Sequence, residues 1–122
     1  MKAYNKTIGA FGEELAENYL VQMGYEIIVK NFRCRIGEID IIAKDKDYIV
    51  FMEVKTRYND RYGHPCEAVT AHKQYKIYKT AQFYIMVNEL HNFNFRFDVI
   101  EVILNYDSDN NYIRLIKNAF IL

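Results

Sequence analysis

Residues 36 to 57 read IGEIDIIAKDKDYIVFMEVKTR: two apolar, β-branched runs, Ile36 to Ala43 and Tyr48 to Thr56, on either side of the polar tetrad KDKD. Such runs about a short polar break predict a β-hairpin. With Lys46 and Asp47 as the two central turn residues, Asp45 faces Tyr48 and, pair by pair, Asp40 faces Glu53. Directly opposed residues share a sheet face with Cβ atoms about 4.5–5.5 Å apart, and the two-residue period adds Lys55 to that face. A one-residue slip would send Asp40 to the other side, so this register decides whether two acids and a lysine meet.

Two carboxylates about 5 Å apart repel by about 3 kcal/mol at an effective dielectric near 20, and strands this apolar are not washed by solvent. Something must balance the charge. One answer is a structural ion-pair cluster of Asp40, Glu53, Lys55 and Arg57. The other is a divalent cation, because carboxylate oxygens with a few waters are what Mg²⁺ prefers. The residues alone leave both open.

Outward from the hairpin, the chain alternates helical and strand patterns. Ile8, Phe11, Leu15, Tyr19 and Met23 recur at spacings of three and four with Gly24 behind them, which predicts a helix over residues 7–23. Gly9, Gly12 and Ala16 form a small-residue stripe within its apolar face. Tyr25 to Phe32 reads as a strand before the hairpin. After it, residues 57–69 (RYNDRYGHPCEAV) hold a glycine and the only proline and predict a loop. A helix from about Thr70 to Leu90, carrying Ile77, Ala81 and Ile85 on one side, and strands Phe95 to Leu104 and Tyr112 to Ile121 complete the chain. The order αβββαββ, with a helix between the third and fourth strands, predicts a crossover, hence an α/β fold with a central mixed sheet flanked by helices.

The 122 residues suit a single domain over 1–122, and 51% hydrophobic with 26% charged types exclude a disordered chain. No apolar run approaches the roughly 20 residues of a membrane span, and the start lacks a signal peptide's hydrophobic stretch, so a cytoplasmic protein with no membrane partner is expected. Cys34 and Cys66 fit no metal-ligand spacing and read as reduced thiols. Net charge is zero, but Lys30 to Lys79 carries 11 Lys and Arg against 7 Asp and Glu, so the middle of the chain is its basic part.

Asp40 followed by Glu53-Val54-Lys55 on the next strand resembles the D...(D/E)xK signature of the PD-(D/E)xK nuclease superfamily. Gly9-x-x-Gly12-Glu13-x-x-Ala16, Gly37-Glu38-Ile39-Asp40-Ile41-Ile42 and Phe51-Met52-Glu53-Val54-Lys55-Thr56-Arg57 more closely resemble the YraN-like family of small bacterial proteins, itself similar to archaeal Holliday-junction resolvases. Gln74-x-x-x-Tyr78 is similar to a further nuclease element, so the resemblance covers nearly the whole chain. Ile39 stands where the superfamily's name has proline, which removes no ligand.

The resemblance implies a restriction-endonuclease-like fold and a nuclease that hydrolyses DNA phosphodiesters, with branched or distorted duplexes as substrates and a homodimer as the working form. It implies Mg²⁺ or Mn²⁺ held by Asp40 and Glu53, with the Val54 carbonyl and Glu13 as further ligands. Lys55 would orient the attacking water and Gln74 would support that network. For Gln74 a satisfied core glutamine is the alternative. Arg57, Tyr58, Arg61 and His64 are candidates for gripping nucleic acid, against a plain solvated loop. Gly9 and Gly12 fit either close helix-to-sheet packing or a phosphate near the helix start. A module that keeps the nuclease fold and binds nucleic acid or a protein partner without turnover is the competing function.

Overall fold

The computed structural model describes residues 2–58, 69–105 and 111–120, with side chains from residue 9 onward. Its elements are α1 (Lys2–Gln22), β1 (Glu26–Arg33), β2 (Glu38–Asp45), β3 (Tyr48–Tyr58), α2 (Ala71–Val87), β4 (Asn94–Leu104) and β5 (Tyr112–Ile116). This is the expected αβββαββ order. The strands form one mixed sheet in the order β1-β2-β3-β4-β5, in which only the β3–β4 pair is parallel. The helix between β3 and β4 is what a parallel pair requires, because a tight turn only joins antiparallel neighbours.

Each face of the sheet carries its own core. Ala16 and Leu20 of α1 pack with Ile41, Ala43, Val50, Met52, Ile100 and Val102 on one side. Ile77, Ala81 and Tyr84 of α2 pack with Ile42, Ile49, Phe51 and Val99 on the other. With both faces covered, β2, β3 and β4 read as near-continuous apolar runs.

α1 begins earlier than its apolar spacing indicates and ends at Gly24, whose φ of 95° is the left-handed conformation expected there. Its buried stripe is Gly12, Ala16 and Leu20, whereas Phe11 and Met23, expected on the apolar face, are 44% and 56% exposed. The cause is close approach: a Cβ on Gly12 would overlap the Thr56 side chain of β3, while one on Gly9 would meet nothing within 4 Å. Packing thus accounts for Gly12 and leaves Gly9 without that explanation. Replacing Gly12 with valine should lower stability by about 2–4 kcal/mol through overpacking and β-branching within the helix. A denaturant midpoint within error of wild type would refute this close contact.

Several boundaries differ from the sequence reading, three of them at the ends of β3, α2 and β5. β3 runs on through Arg57 and Tyr58, which were expected in a loop. α2 stops at Val87, where Asn88 caps it and Glu89 turns left-handed, rather than at Leu90. β5 stops at Ile116 because Asn118 adopts φ 52° and donates its backbone N–H to Asp98.

At the end of the sheet nearest the β2–β3 turn lies a buried polar cluster. Asp98, with no exposed surface, accepts Arg96 Nε at 3.0 and 3.1 Å and the Asn118 amide at 2.9 Å. Arg96 also reaches Tyr25 Oη at 2.8 Å and Asp45 Oδ2 at 3.2 Å.

Candidate functional site

The β2–β3 ladder pairs Asp45 with Tyr48 and runs to Ile41 opposite Met52, so the register inferred from the tetrad is the one adopted. Asp40 and Glu53 each stand one residue beyond that last pair. The expected shared face is not what brings the two acids together, however. Ile39 packs on the α2 side and Ile41 on the α1 side, although strict alternation would put both on one face. β2 therefore changes face at Asp40. The cause lies on the neighbouring strand: Asn31, between the pairs Lys30–Ile41 and Phe32–Ile39, takes φ 54°. Lys30 accordingly pairs with Glu17 of α1 at 3.1 Å, while the Phe32 ring meets Tyr84 of α2 edge-on.

At this crossover the Asp40 carboxylate reaches across to β3 and accepts the Val54 amide at 2.8 Å. Burial, then the charge of Glu53, push the Asp40 carboxyl up from its ordinary 3.8 to about 7; Glu13 and Glu38 add to the rise and the Val54 amide opposes it. Glu53 is 9% exposed and pairs with Lys73 Nζ from the first turn of α2. That hydrogen bond, with the charges of Glu53, Asp40 and Glu38, raises the Lys73 ammonium against the opposing effect of burial. The charge of Glu53 is thus met by the Lys73 ammonium, while burial beside Glu53 favours the neutral form of Asp40.

Glu13 stands on α1 close enough to act on Asp40, and it lines a cleft of about 650 Å³ between Gly9, Glu13 and Glu17 of α1 and Lys30, Asn31 and Arg33 of β1. Lys55 shares the Glu53 face by alternation and stands opposite the buried Glu101 in the parallel ladder. Arg57 follows on that face, and its Nε is buried without a hydrogen-bond partner among the described residues. Glu38 is exposed and bridged to Arg33 at 2.8 Å.

Other sequence-derived candidates lie apart from this group. Gln74 donates its side-chain amide to the Val69 carbonyl at 2.9 Å, fastening the start of α2. Tyr58 was expected beside Arg57 in a nucleic-acid grip. Because β3 continues through it, alternation turns it the other way, and it packs against the α1-side core. Arg61 and His64 lie outside the described residues, as does Cys66. Lys73 was not singled out from the sequence; the signal available was its position four before Ile77, a cation on the inward stripe of α2.

Among the described residues no group of three or more His, Cys, Asp or Glu side chains is gathered tightly enough to hold a metal ion as it stands. The chemistry of the donors nevertheless fits a hard dication. Asp40 and Glu53 offer carboxylate oxygens on adjacent strands, with Glu13 and the Val54 carbonyl as further oxygen donors. Glu53 is paired with a lysine that is itself partly solvent-exposed, and burial beside Glu53 holds the Asp40 carboxyl well above the ordinary carboxylate range.

Among the described residues, no helix is long and apolar enough to cross a membrane. Residues 12–102 match the family described as "Uncharacterised protein family UPF0102". The chain is similar to a UPF0102 protein of Clostridium tetani, 61% identical over 122 residues and the whole of both chains. It is likewise 63% identical over 117 residues, 95% of each chain, to a UPF0102 protein of Clostridium botulinum (strain Loch Maree / Type A3). A UPF0102 protein of Clostridium kluyveri is 56% identical over 120 residues, 98% of each chain. With the match spanning the site on β2 and β3 and identity maintained end to end, the chain belongs to the UPF0102, or YraN-like, family.

Proposed function

We propose that the protein is a Mg²⁺- or Mn²⁺-dependent endonuclease that hydrolyses DNA phosphodiesters, acting on branched or distorted duplexes as a homodimer. The observation that carries this reading is the pair of acids at the β2–β3 crossover, Asp40 and Glu53, beside two cations of β3 on the Glu53 face, Lys55 and Arg57. The substrate form and the dimer rest on the resemblance to junction resolvases.

Asp40, Glu53 and the Val54 carbonyl, with Glu13, would hold the dication, which when bound supplies Lewis acidity toward the phosphodiester and eases deprotonation of the attacking water. Lys55 orients that water from the Glu53 face. Arg57 would offer its Nε, which has no hydrogen-bond partner among the described residues, to a non-bridging phosphate oxygen, where charge builds up during attack. Lys73 neutralises Glu53 while no dication is present. Gln74, by tying the start of α2 to Val69, holds Lys73 in place rather than touching the substrate.

The competing reading, a non-catalytic nucleic-acid-binding or partner-binding module, draws on the Glu53–Lys73 pair, since it satisfies Glu53 without any dication. Cleavage of end-labelled duplex, flap and four-way-junction DNA with Mg²⁺, Mn²⁺ or EDTA separates the two. Metal-dependent cutting is expected from wild type, with a loss of about 10³-fold in Glu53→Ala and Lys55→Ala proteins purified identically. Binding without cutting under either metal would favour the module, and equal cutting by the variants would expose a contaminant.

A further inference from the structure

The basic middle of the chain collects on one surface. Over Ala71–Val87, α2 carries His72, Lys73, Lys76 and Lys79 and no acidic residue. Lys73 turns inward to Glu53. His72, Tyr75, Lys76 and Lys79 instead fall outside the stripe of Ile77, Ala81 and Tyr84 that α2 buries, the first three exposed and Lys79 half-buried. Tyr75 is 56% exposed, and Lys79 Nζ lies 5.9 Å from the centre of its ring.

The turn between β1 and β2 lies against the same part of the helix. A Cβ on Gly37 would sit 3.1 Å from Thr80 Oγ1 and 3.8 Å from Lys76 Cβ, so the turn that carries the exposed Arg35 lies beside Lys76. The single acid of that turn, Glu38, is already taken by Arg33. Lys76 and Lys79 of a helix without acids and Arg35 of the adjoining turn therefore lie near one another, in a chain whose formal net charge is zero. The charge is confined to the half of α2 nearest the acid pair; the far half of the same exposed stripe is Phe83 and Met86.

From this surface, and resting on the reading of the site given above, we infer that Arg35, Tyr75, Lys76 and Lys79 form the track along which the sugar-phosphate backbone of a duplex lies as it approaches Asp40 and Glu53. Cations that outnumber the acids beside them repel one another, and a polyanion relieves that repulsion while releasing its own counterions. Arg35 offers a planar fork for two phosphate oxygens, the lysines offer mobile point charges, and Tyr75 offers an aromatic face. Lys73 joins the track to the acid pair.

The test is binding of a fluorescent duplex of about 30 base pairs in EDTA, over roughly 25–200 mM KCl, by anisotropy. The variant Arg35→Gln/Lys76→Gln/Lys79→Gln should weaken binding about 10²-fold at low salt and reduce the salt slope by about 2–3. The variant Lys44→Gln/Lys46→Gln/Lys117→Gln removes the same charge from the opposite end of the sheet and should keep the slope within about one. Equal losses in the two variants would overturn the track, because net charge would then be the cause. A wild type that binds duplex while the first variant binds as well as it does would overturn the track alone. A wild type that binds no nucleic acid would overturn the function proposed above together with it. Displacement of the duplex by polyglutamate as readily as by unlabelled DNA would assign the surface to an acidic protein instead.

Discussion

Asp40→Asn should abolish metal-dependent cleavage, by about 10³-fold or more, and at the same time make the metal-free protein more stable than wild type at pH 8. Both effects come from the same carboxylate. Its pKa is raised to about 7 in the folded chain, from 3.8, by burial and by Glu53. Between those values this carboxyl binds more protons in the folded state than in the unfolded one, so its contribution to the stability of the metal-free protein falls as pH rises from about 4 to about 7. Three pH units correspond to about 4 kcal/mol as a ceiling; residual solvent access and the partial neutralisation of Glu53 by Lys73 bring the expected fall to about 1–3 kcal/mol. Asparagine keeps an oxygen for the Val54 amide and carries no charge, so the variant should lack this fall and gain on wild type across that window. Melting temperatures of both proteins in EDTA from pH 4 to 8 provide the check. A wild-type curve that rises toward pH 8, or an Asp40→Asn protein that melts below it there, would contradict the buried acid pair. Added Mn²⁺ should raise the wild-type melting temperature at pH 8 and leave the variant unmoved.

Asp98→Ala should be the more damaging change for the fold, costing about 3–5 kcal/mol and about 10–20 °C in Tm. It removes the acceptor of both short Arg96 Nε contacts and strands the Asn118 amide, leaving an arginine that is 8% exposed with only Asp45 to balance it. The double change Arg96→Met/Asp98→Leu should cost less than Asp98→Ala alone, because it removes the buried charge together with its partner. Calorimetric or denaturant-derived stabilities of the three proteins decide the point. A loss below about 1 kcal/mol in Asp98→Ala would mean that Asp45 and Tyr25 suffice for Arg96.

How far the sequence carried can be judged from these same residues. The hairpin register was legible because the polar tetrad fixes the turn and the period of two then fixes each pair down to Ile41 and Met52. The crossover of the chain between β3 and β4 was legible too, since a helix intervenes. The face change at Asp40 was not, because its cause is a left-handed Asn31 on another strand, and asparagine adopts that conformation only sometimes. Lys73 was hidden for a different reason: its role depends on how α2 lies over β3, and helical periodicity gives a face without giving a partner. Tyr58 was misplaced through a boundary error of two residues, which is enough to reverse the side of a strand on which a ring emerges. The Arg96–Asp98 cluster had a visible trace, opposite charges two apart within an apolar strand, but Tyr25 and Asp45 come from distant parts of the chain.

The absent side chain at Gly12 has a wider consequence than tight packing. Thr56, which fills the space, is flanked in β3 by Lys55 and Arg57, whose side chains leave the strand on the opposite face. Glu13 is the very next residue of the helix. One point of contact therefore serves as a common datum for both layers: it fixes the acid on α1 and the two cations of β3 to a single origin, so that any sliding of the helix along the strand would displace Glu13 from Asp40 and disturb the backbone that aims Lys55.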